Sequence, residues 1–549
     1  MVTSPRKEHV PPFSVMCDRP RNGATVRGIG LSALLIVCSP IAAQGPIESR
    51  PTVTLPSNGA GAAVPFPRPA AEDAPRSSSD LTFGLVLQTI FSDNFNLESE
   101  GLATSGRGVE VIPYLDGYVR TSKSRGDAAL RLRKLWYTTG GTSDSTLSPD
   151  VRASGDLSVK DDAVRFAGSA YVFSLNPSPF LATSIDPASR TAEADLYKAY
   201  AVSPYSLGRF GSSDYELRYR AQSIDPGGAA LKSTGQQVAG GLASTRESGA
   251  RLGWSTHADV GRVEYEDSSE FTRSSAEVLG YYGVTPLLRL GAGVNYSRVD
   301  VLVNSEGDNS GFGPTAFLSW RPGPRTSITG KYADTYYGSE SSLRVAHRSV
   351  RWLFGASYIK GLQAGSESGL LYFDPNVIFS LPEVSSDDGG LVRGLAERRL
   401  FSGAGQSLLF GQTGNPLVFD ESLIASAALL GARNSFMVAV FTNDQQEAPS
   451  SLAATGTRDL TQRGATFTAD HRLGPSSSTF ASLYHLFSES NQTQQESRLT
   501  ALTLGWQLNL SRQSTFTLTV RASKQTSAGE VPSDEYRERA VIAAIGHKF

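Results

Sequence analysis

Charged residues recur in this chain at every second position between apolar ones. Arg131 and Arg133 alternate with Leu130 and Leu132. Glu216, Arg218 and Arg220 alternate with Tyr215, Leu217 and Tyr219, and Arg289 sits between Leu288 and Leu290. Arg351, between Val350 and Trp352, fits the same set. On a strand, such spacing gathers the charges on one face and the apolar residues on the other. If that face lines a pore, a wall of guanidinium groups selects anionic or hydrated, sugar-like solutes. The same Arg and Glu side chains can instead pair with one another and brace the wall. Bracing is the default, because a lumen-facing charge is cheap and a lipid-facing one costs several kcal/mol. Lys134, in register with Leu130 and Leu132, is expected near a membrane interface with its amine reaching toward water.

Catalytic chemistry finds little support. The sequence has no G-x-S-x-G elbow, no H-E-x-x-H and no phosphate-binding G-x-x-x-x-G-K-[ST]. His257, His347, His471, His485 and His547 are the histidines beyond the N-terminal region. A Ser/His/Asp site from Ser482, His485, His471 and Asp470 is conceivable. However, adjacent Asp470 and His471 point to opposite faces of a strand. Asp387 and Asp388 read as a solvated acidic turn before a Ca²⁺ site. No catalytic residue, metal ligand or cofactor is assigned.

The elements behind these faces are long alternating strands. Over 502–510, Leu502, Leu504, Trp506, Leu508 and Leu510 oppose Thr503, Gly505, Gln507 and Asn509. Over 287–297, Leu288, Leu290, Ala292, Val294 and Tyr296 oppose Arg289, Gly291, Gly293, Asn295 and Ser297. Over 515–522, Phe516, Leu518, Val520 and Ala522 oppose three threonines and Arg521, and 350–358 repeats the pattern. Soluble strands usually run to only about 5–6 residues. Apolar faces of four or five positions instead match the roughly 9–11 tilted residues that cross a bilayer. Helical pattern is almost absent, 392–400 being the best and a short candidate. Trp320, Tyr332, Tyr336, Tyr337, Trp352 and Tyr358 are expected in interfacial girdles.

The fold expected is therefore all-β: a transmembrane antiparallel up-and-down barrel over 81–549. In hydrocarbon every backbone group must bond within the protein, so the sheet has to close. At about 24–28 residues per strand with its loops, 16–20 strands result, and 18 is the even number chosen. The stretch 361–425 is the least periodic and reads as long loops, one of them folding inward.

Composition agrees. The 549 residues carry 51 basic and 53 acidic side chains, a net charge of −2, which gives no sign of a nucleic-acid partner. Residues 28–43, GIGLSALLIVCSPIAA, follow Arg19, Arg21 and Arg27 and read as a signal peptide cut near Ala43, with Met16 an alternative start. Cys17 and Cys38 would leave with it, so the mature chain would have no thiol chemistry. Residues 44–80, rich in Pro, Ala, Ser and Gly, read as a disordered linker. The final stretch, AVIAAIGHKF, puts Val541, Ala543, Ile545 and Phe549 in one register. An apolar last strand ending on an aromatic is the signal read by barrel-assembly machinery, here Ile545 and Phe549. These features place the chain in a Gram-negative outer membrane, with its lipid as a partner.

Several segments resemble one family. They are FSDNFNL at 91–97, WRPGPRTSITGKYADTYYG at 320–338, AHRSVRWLFGASY at 346–358 and GARNSFMVAVF at 431–441, with the terminal Phe549. In this order they look like the outer-membrane β-barrels associated with PEP-CTERM/exosortase systems, with 320–358 the most specific block. Two departures stand out: the long polar stretch 361–425, and His547, where an aromatic is usual. The resemblance implies a non-enzymatic conduit or scaffold in exopolysaccharide secretion or envelope assembly, working with export components. It transfers no catalytic residue. A diffusion porin and, less favoured, a barrel enzyme are the alternatives.

Overall fold

The computed structural model describes residues 78–549 except 122, 161–162, 176–179, 183–194, 228–231, 245–250, 268–269, 302–309, 365–416, 448–458, 491–493 and 530–534. Expectations for the signal peptide, most of the linker, the 392–400 helix and Asp387-Asp388 lie outside the described residues.

Among the described residues, twenty-two strands are present. In chain order they are β1 Ser78–Ser92, β2 Gly106–Arg120, β3 Ser124–Thr139, β4 Thr142–Lys160, β5 Val164–Leu175, β6 Asp195–Phe210, β7 Ser213–Asp225, β8 Ser233–Ser244, β9 Leu252–Tyr265, β10 Glu270–Thr285 and β11 Leu288–Val301. They continue with β12 Ser310–Gly323, β13 Thr326–Thr335, β14 Gly338–Arg348, β15 Trp352–Ala364, β16 Leu417–Leu430, β17 Asn434–Glu447, β18 Leu460–Arg472, β19 Ser477–Ser490, β20 Gln495–Asn509, β21 Ser514–Ala528 and β22 Tyr536–Lys548. Each pairs antiparallel with its neighbours in sequence. The ring closes where β1 pairs with β22, from Gly84↔Lys548 to Ser92↔Ala540. No sheet edge is left, which is the condition for lying in lipid.

The expected 18 strands are corrected to 22, still an even number. The turns are shorter than allowed for. Gly211-Ser212, Pro286-Leu287 and Pro324-Arg325 are complete two-residue connections, as is Gly140-Gly141. At Gly140 and Gly141 φ is 55° and 85°, the positive pair a tight hairpin demands. The stretch 361–425 is also partly strand, since β15 runs to Ala364 and β16 starts at Leu417. Arg351 lies in the exposed β14–β15 turn, where its carbonyl accepts from the Leu430 amide at 2.7 Å, so it is not luminal. The strand begins one residue later, at Trp352.

The two ends of the barrel differ. At the end that holds both the start of β1 and the C-terminus, most connections have two to four residues. The other end carries the long ones, 93–105, 176–194 and 365–416 among them. Outer-membrane barrels have short periplasmic turns and long extracellular loops, so the terminal end is periplasmic. Leu132, Leu147, Leu217, Val260, Val294, Val440, Leu502 and Val520 all point outward and are exposed. Four of the five tryptophans, Trp254, Trp320, Trp352 and Trp506, lie outward near the periplasmic end as an interfacial girdle. Tyr332 and Tyr358 face outward near the other end. Tyr336 and Tyr337 depart from the girdle expectation. Their turn bends over the inner corner and packs on Val263, Tyr265 and Phe271, because that hairpin is short and its neighbours curl. The chain is a closed transmembrane barrel of outer-membrane type.

Candidate functional site: the barrel lumen

Alternation fixes what the lumen contains. Arg131, Arg133, Glu216, Arg218, Arg220 and Arg289 all lie on inward faces, and so do acids on neighbouring strands. Arg131 meets Asp116 at 3.4 Å, Arg133 meets the buried Glu110 at 3.5 Å, and Arg218 meets Glu216 at 3.0 Å. Arg152 adds Asp150 at 3.0 Å, and Arg165 pairs with Asp156. Arg218 also lies over the Tyr205 ring at 4.2 Å. The wall from β2 to β7 is thus a ladder of opposite charges, whose members brace one another. Lys134 faces outward beside Trp136, 5.7 Å from the ring centroid, with its amine on Ser145.

The wall from β16 to β22 has different chemistry. Its inward side chains include Ser422, Ser426, Asn443, Gln445, Gln462, Thr466, Thr468, Ser488, Ser497 and Gln525, all buried. Hydroxyls and amides offer donors and acceptors together, which suits neutral polyhydroxylated partners better than ions. Charged groups sit in this arc too: Asp420 on β16 is 0 % exposed, Asp470 on β18 faces inward, and a compact group forms around Glu538. Glu538, 0 % exposed, accepts from Arg521 at 2.8 Å, Ser523 at 3.0 Å and Ser92 at 3.1 Å, beside the closing seam.

Between β10 and β15 the sheet curls sharply. Asn295 on β11 donates past β12 to the Asp334 carbonyl on β13 at 2.9 Å. A Cβ on Gly313 would lie 1.8 Å from that same carbonyl, so only glycine fits the bend. The curl lets Arg273, 2 % exposed, reach Glu340 at 2.9 Å and the Leu362 carbonyl at 3.2 Å, while Lys331 reaches Glu277 at 2.6 Å. Burial raises the Tyr337 hydroxyl above its ordinary range, with the nearby Arg273 opposing and Glu340 adding.

Toward the extracellular end the polar lumen is interrupted. One contiguous buried apolar cluster takes Phe173, Tyr197 and Ile224 from β5–β7, and Phe441, Tyr484, Leu486, Leu499 and Tyr536 from β17, β19, β20 and β22. Leu97 and Ala182 from the loops join it. In a ring of 22 strands, β6 and β17 stand on opposite sides. Phe173 and Tyr197 stack at 4.9 Å, and Gln525 donates to the Leu181 carbonyl at 3.0 Å. This septum was not anticipated. Its signal is the loss of alternation in 435–441, SFMVAVF, and 483–487, LYHLF, where apolar residues occupy both faces.

A hydrolytic site is not assembled from the expected residues. His471 turns outward to Asn434, and His485 turns outward to Thr500 at 2.9 Å, whereas Ser482 and Asp470 face inward. His257 is luminal, 3.7 Å from Asp259, but Ser275 donates to Asp259 rather than to the imidazole. A serine nucleophile needs the histidine as its base. Among the described residues no group of three or more His, Cys, Asp or Glu could hold a metal.

No protein-family model matches the chain, and no curated protein matches it. Several solved structures are similar in fold. The siderophore receptor PirA from Pseudomonas aeruginosa is 12% identical, with 86% of this chain and 80% of that one covered and a TM-score of 0.41. The FrpB iron transporter from Neisseria meningitidis is 11% identical, with 86% and 83% covered and a TM-score of 0.43. A mutant of the ferric enterobactin receptor PfeA from Pseudomonas aeruginosa, in complex with enterobactin, is 11% identical, with 86% and 82% covered and a TM-score of 0.46.

Proposed function

We propose that this protein is a non-enzymatic outer-membrane conduit for a polyhydroxylated solute or chain, closed at rest. The observation that carries the reading is the amide and hydroxyl wall of β16–β22, which faces a charge-neutralised wall across the lumen. Sugars are bound by such mixed donors and acceptors with aromatic surfaces alongside, and Tyr484, Tyr197 and Tyr536, buried in the septum at rest, supply those surfaces when it opens. In this reading the conduit serves exopolysaccharide secretion or envelope assembly, in line with the resemblance at 320–358, and export components are its partners. The exposed Ile545 and Phe549 on the last strand are the groups offered to the assembly machinery. A standing diffusion porin fits less well, because the apolar septum blocks free passage of hydrated solutes.

The test is uptake into vesicles holding the refolded protein. Opening the septum with Phe441→Ser and Tyr484→Ser is expected to admit neutral oligosaccharides faster than anions of equal size. Equal exclusion of both, with insertion verified, would remove the conduit reading.

A further inference from the structure

The outward rim just above the apolar belt at the extracellular end is uneven in charge. From β18 round through β22 to β2, the first outward charged side chain beyond the belt is Glu489 on β19, and on β18, β20, β21, β22 and β2 the first ones are cations. The cations are Arg463, Arg498, Lys524, Arg537, Arg539 and Arg107, all exposed. The register makes them neighbours. Arg463 lies opposite Phe487, and Phe487 opposite Arg498. Lys524 lies opposite Arg537, and Arg107 opposite Phe91. Six strand-to-strand steps span an arc of about 29 Å. Glu489, Glu496 and Glu535 stand two residues further out than Phe487, Arg498 and Arg537, about 7 Å higher, and Asp459 lies beyond Arg463. Glu496 takes only Arg498, at 3.1 Å, and the Asp93 carboxylate accepts the Arg539 backbone amide at 2.6 Å. Among the described residues, the side chains of Arg107, Arg463, Lys524, Arg537 and Arg539 have no carboxylate partner.

Elsewhere on the outward face several cations are neutralised, while Lys134 bonds the Ser145 hydroxyl. Lys198 meets Asp225 at 3.1 Å, Arg262 meets Glu270 at 2.6 Å, Arg298 meets Asp300 at 2.8 Å and Lys360 meets Glu421 at 3.0 Å. Among the described residues, this arc therefore gathers five cations without a carboxylate partner at the boundary of the hydrocarbon.

We infer that the β18–β2 arc is a docking surface for the phosphates of a glycolipid in the outer leaflet. Three points select that occupant. Guanidinium matches phosphate in bidentate geometry. The cations sit at headgroup depth, with Phe487 and Phe91 among them and aliphatic side chains directly below to meet acyl chains. The long-loop end faces the outer leaflet. A soluble anion would gain nothing from that depth.

The experiment refolds the mature protein into phosphatidylcholine vesicles with a bisphosphorylated lipid A as probe. Lipid carried through detergent extraction and gel filtration is then counted per barrel by mass spectrometry. Wild type is expected to retain lipid A, and high salt to strip it. The Arg463→Gln, Lys524→Gln, Arg537→Gln triple variant should lose retention by on the order of tenfold or more. Arg262→Gln with Arg298→Gln should leave it unchanged. Equal retention by the triple variant, equal retention of dephosphorylated lipid A by wild type, or full displacement by millimolar inorganic phosphate would each overturn the inference. If the triple variant fails to insert, the wild-type comparison of phosphorylated and dephosphorylated lipid decides alone.

Discussion

Replacing Glu538 by Gln tests how the barrel is closed. The carboxylate is fully buried beside the β22–β1 seam and accepts from Arg521 at 2.8 Å, Ser523 at 3.0 Å and Ser92 at 3.1 Å. Ser92 belongs to β1, so one of these bonds crosses the closing pair. Glutamine keeps the volume and one acceptor but removes the charge that balances Arg521, itself 3 % exposed. Breaking a buried pair from one side costs about 3–5 kcal/mol, because the remaining ion stays desolvated. The lower half of that range applies here, since the amide oxygen still accepts a bond. The double replacement Arg521→Met with Glu538→Leu removes both charges and should recover most of the loss. Urea unfolding of the refolded barrel in vesicles, followed by tryptophan fluorescence, reads both. A Glu538→Gln variant within about 0.5 kcal/mol of wild type would refute the reasoning, since that is the range of an ordinary surface change. So would a double variant as unstable as the single one.

Other outcomes follow from the same geometry. Gly313→Val should prevent the β10–β15 curl, because even a Cβ would lie 1.8 Å from the Asp334 carbonyl; loss of heat-resistant folded barrel on gels checks it. Leu132→Arg places a charge on the lipid face and should cost about 2–4 kcal/mol if it lies near mid-bilayer, whereas Lys134→Ala should be close to neutral; urea titration separates them. In a septum-opened barrel, replacing Arg131, Arg133 and Arg220 by Gln removes the arginine partners of Asp116 and Glu110. Selectivity should then move toward cations, and an unmoved reversal potential would show that the charged wall does not face the current path.

The faces were legible because period-2 spacing needs no tertiary information. Leu502, Leu504 and Trp506 on the lipid side, and Arg131 and Arg133 on the other, follow from alternation alone. The strand count was not legible, since it depends on turn length, and pairs such as Pro286-Leu287 and Pro324-Arg325 close with two residues. Arg351 was misplaced for a related reason: alternation does not mark where a turn stops and a strand begins. The septum was hidden differently. Tyr484 and Phe441 obey strand geometry but break the polar-lumen pattern, and only closure of the ring brings β6 and β17 to face each other across one space. The curl at β10–β15 likewise depends on Gly313 meeting a carbonyl two strands away.

Single-channel recording in a planar bilayer tests the central claim most directly, that a polar lumen is sealed by an apolar septum. The refolded wild type should insert and remain silent, and the Phe441→Ser, Tyr484→Ser variant should conduct in steady, discrete steps. A wild type that conducts steadily, or an inserted variant that stays silent, would contradict the account.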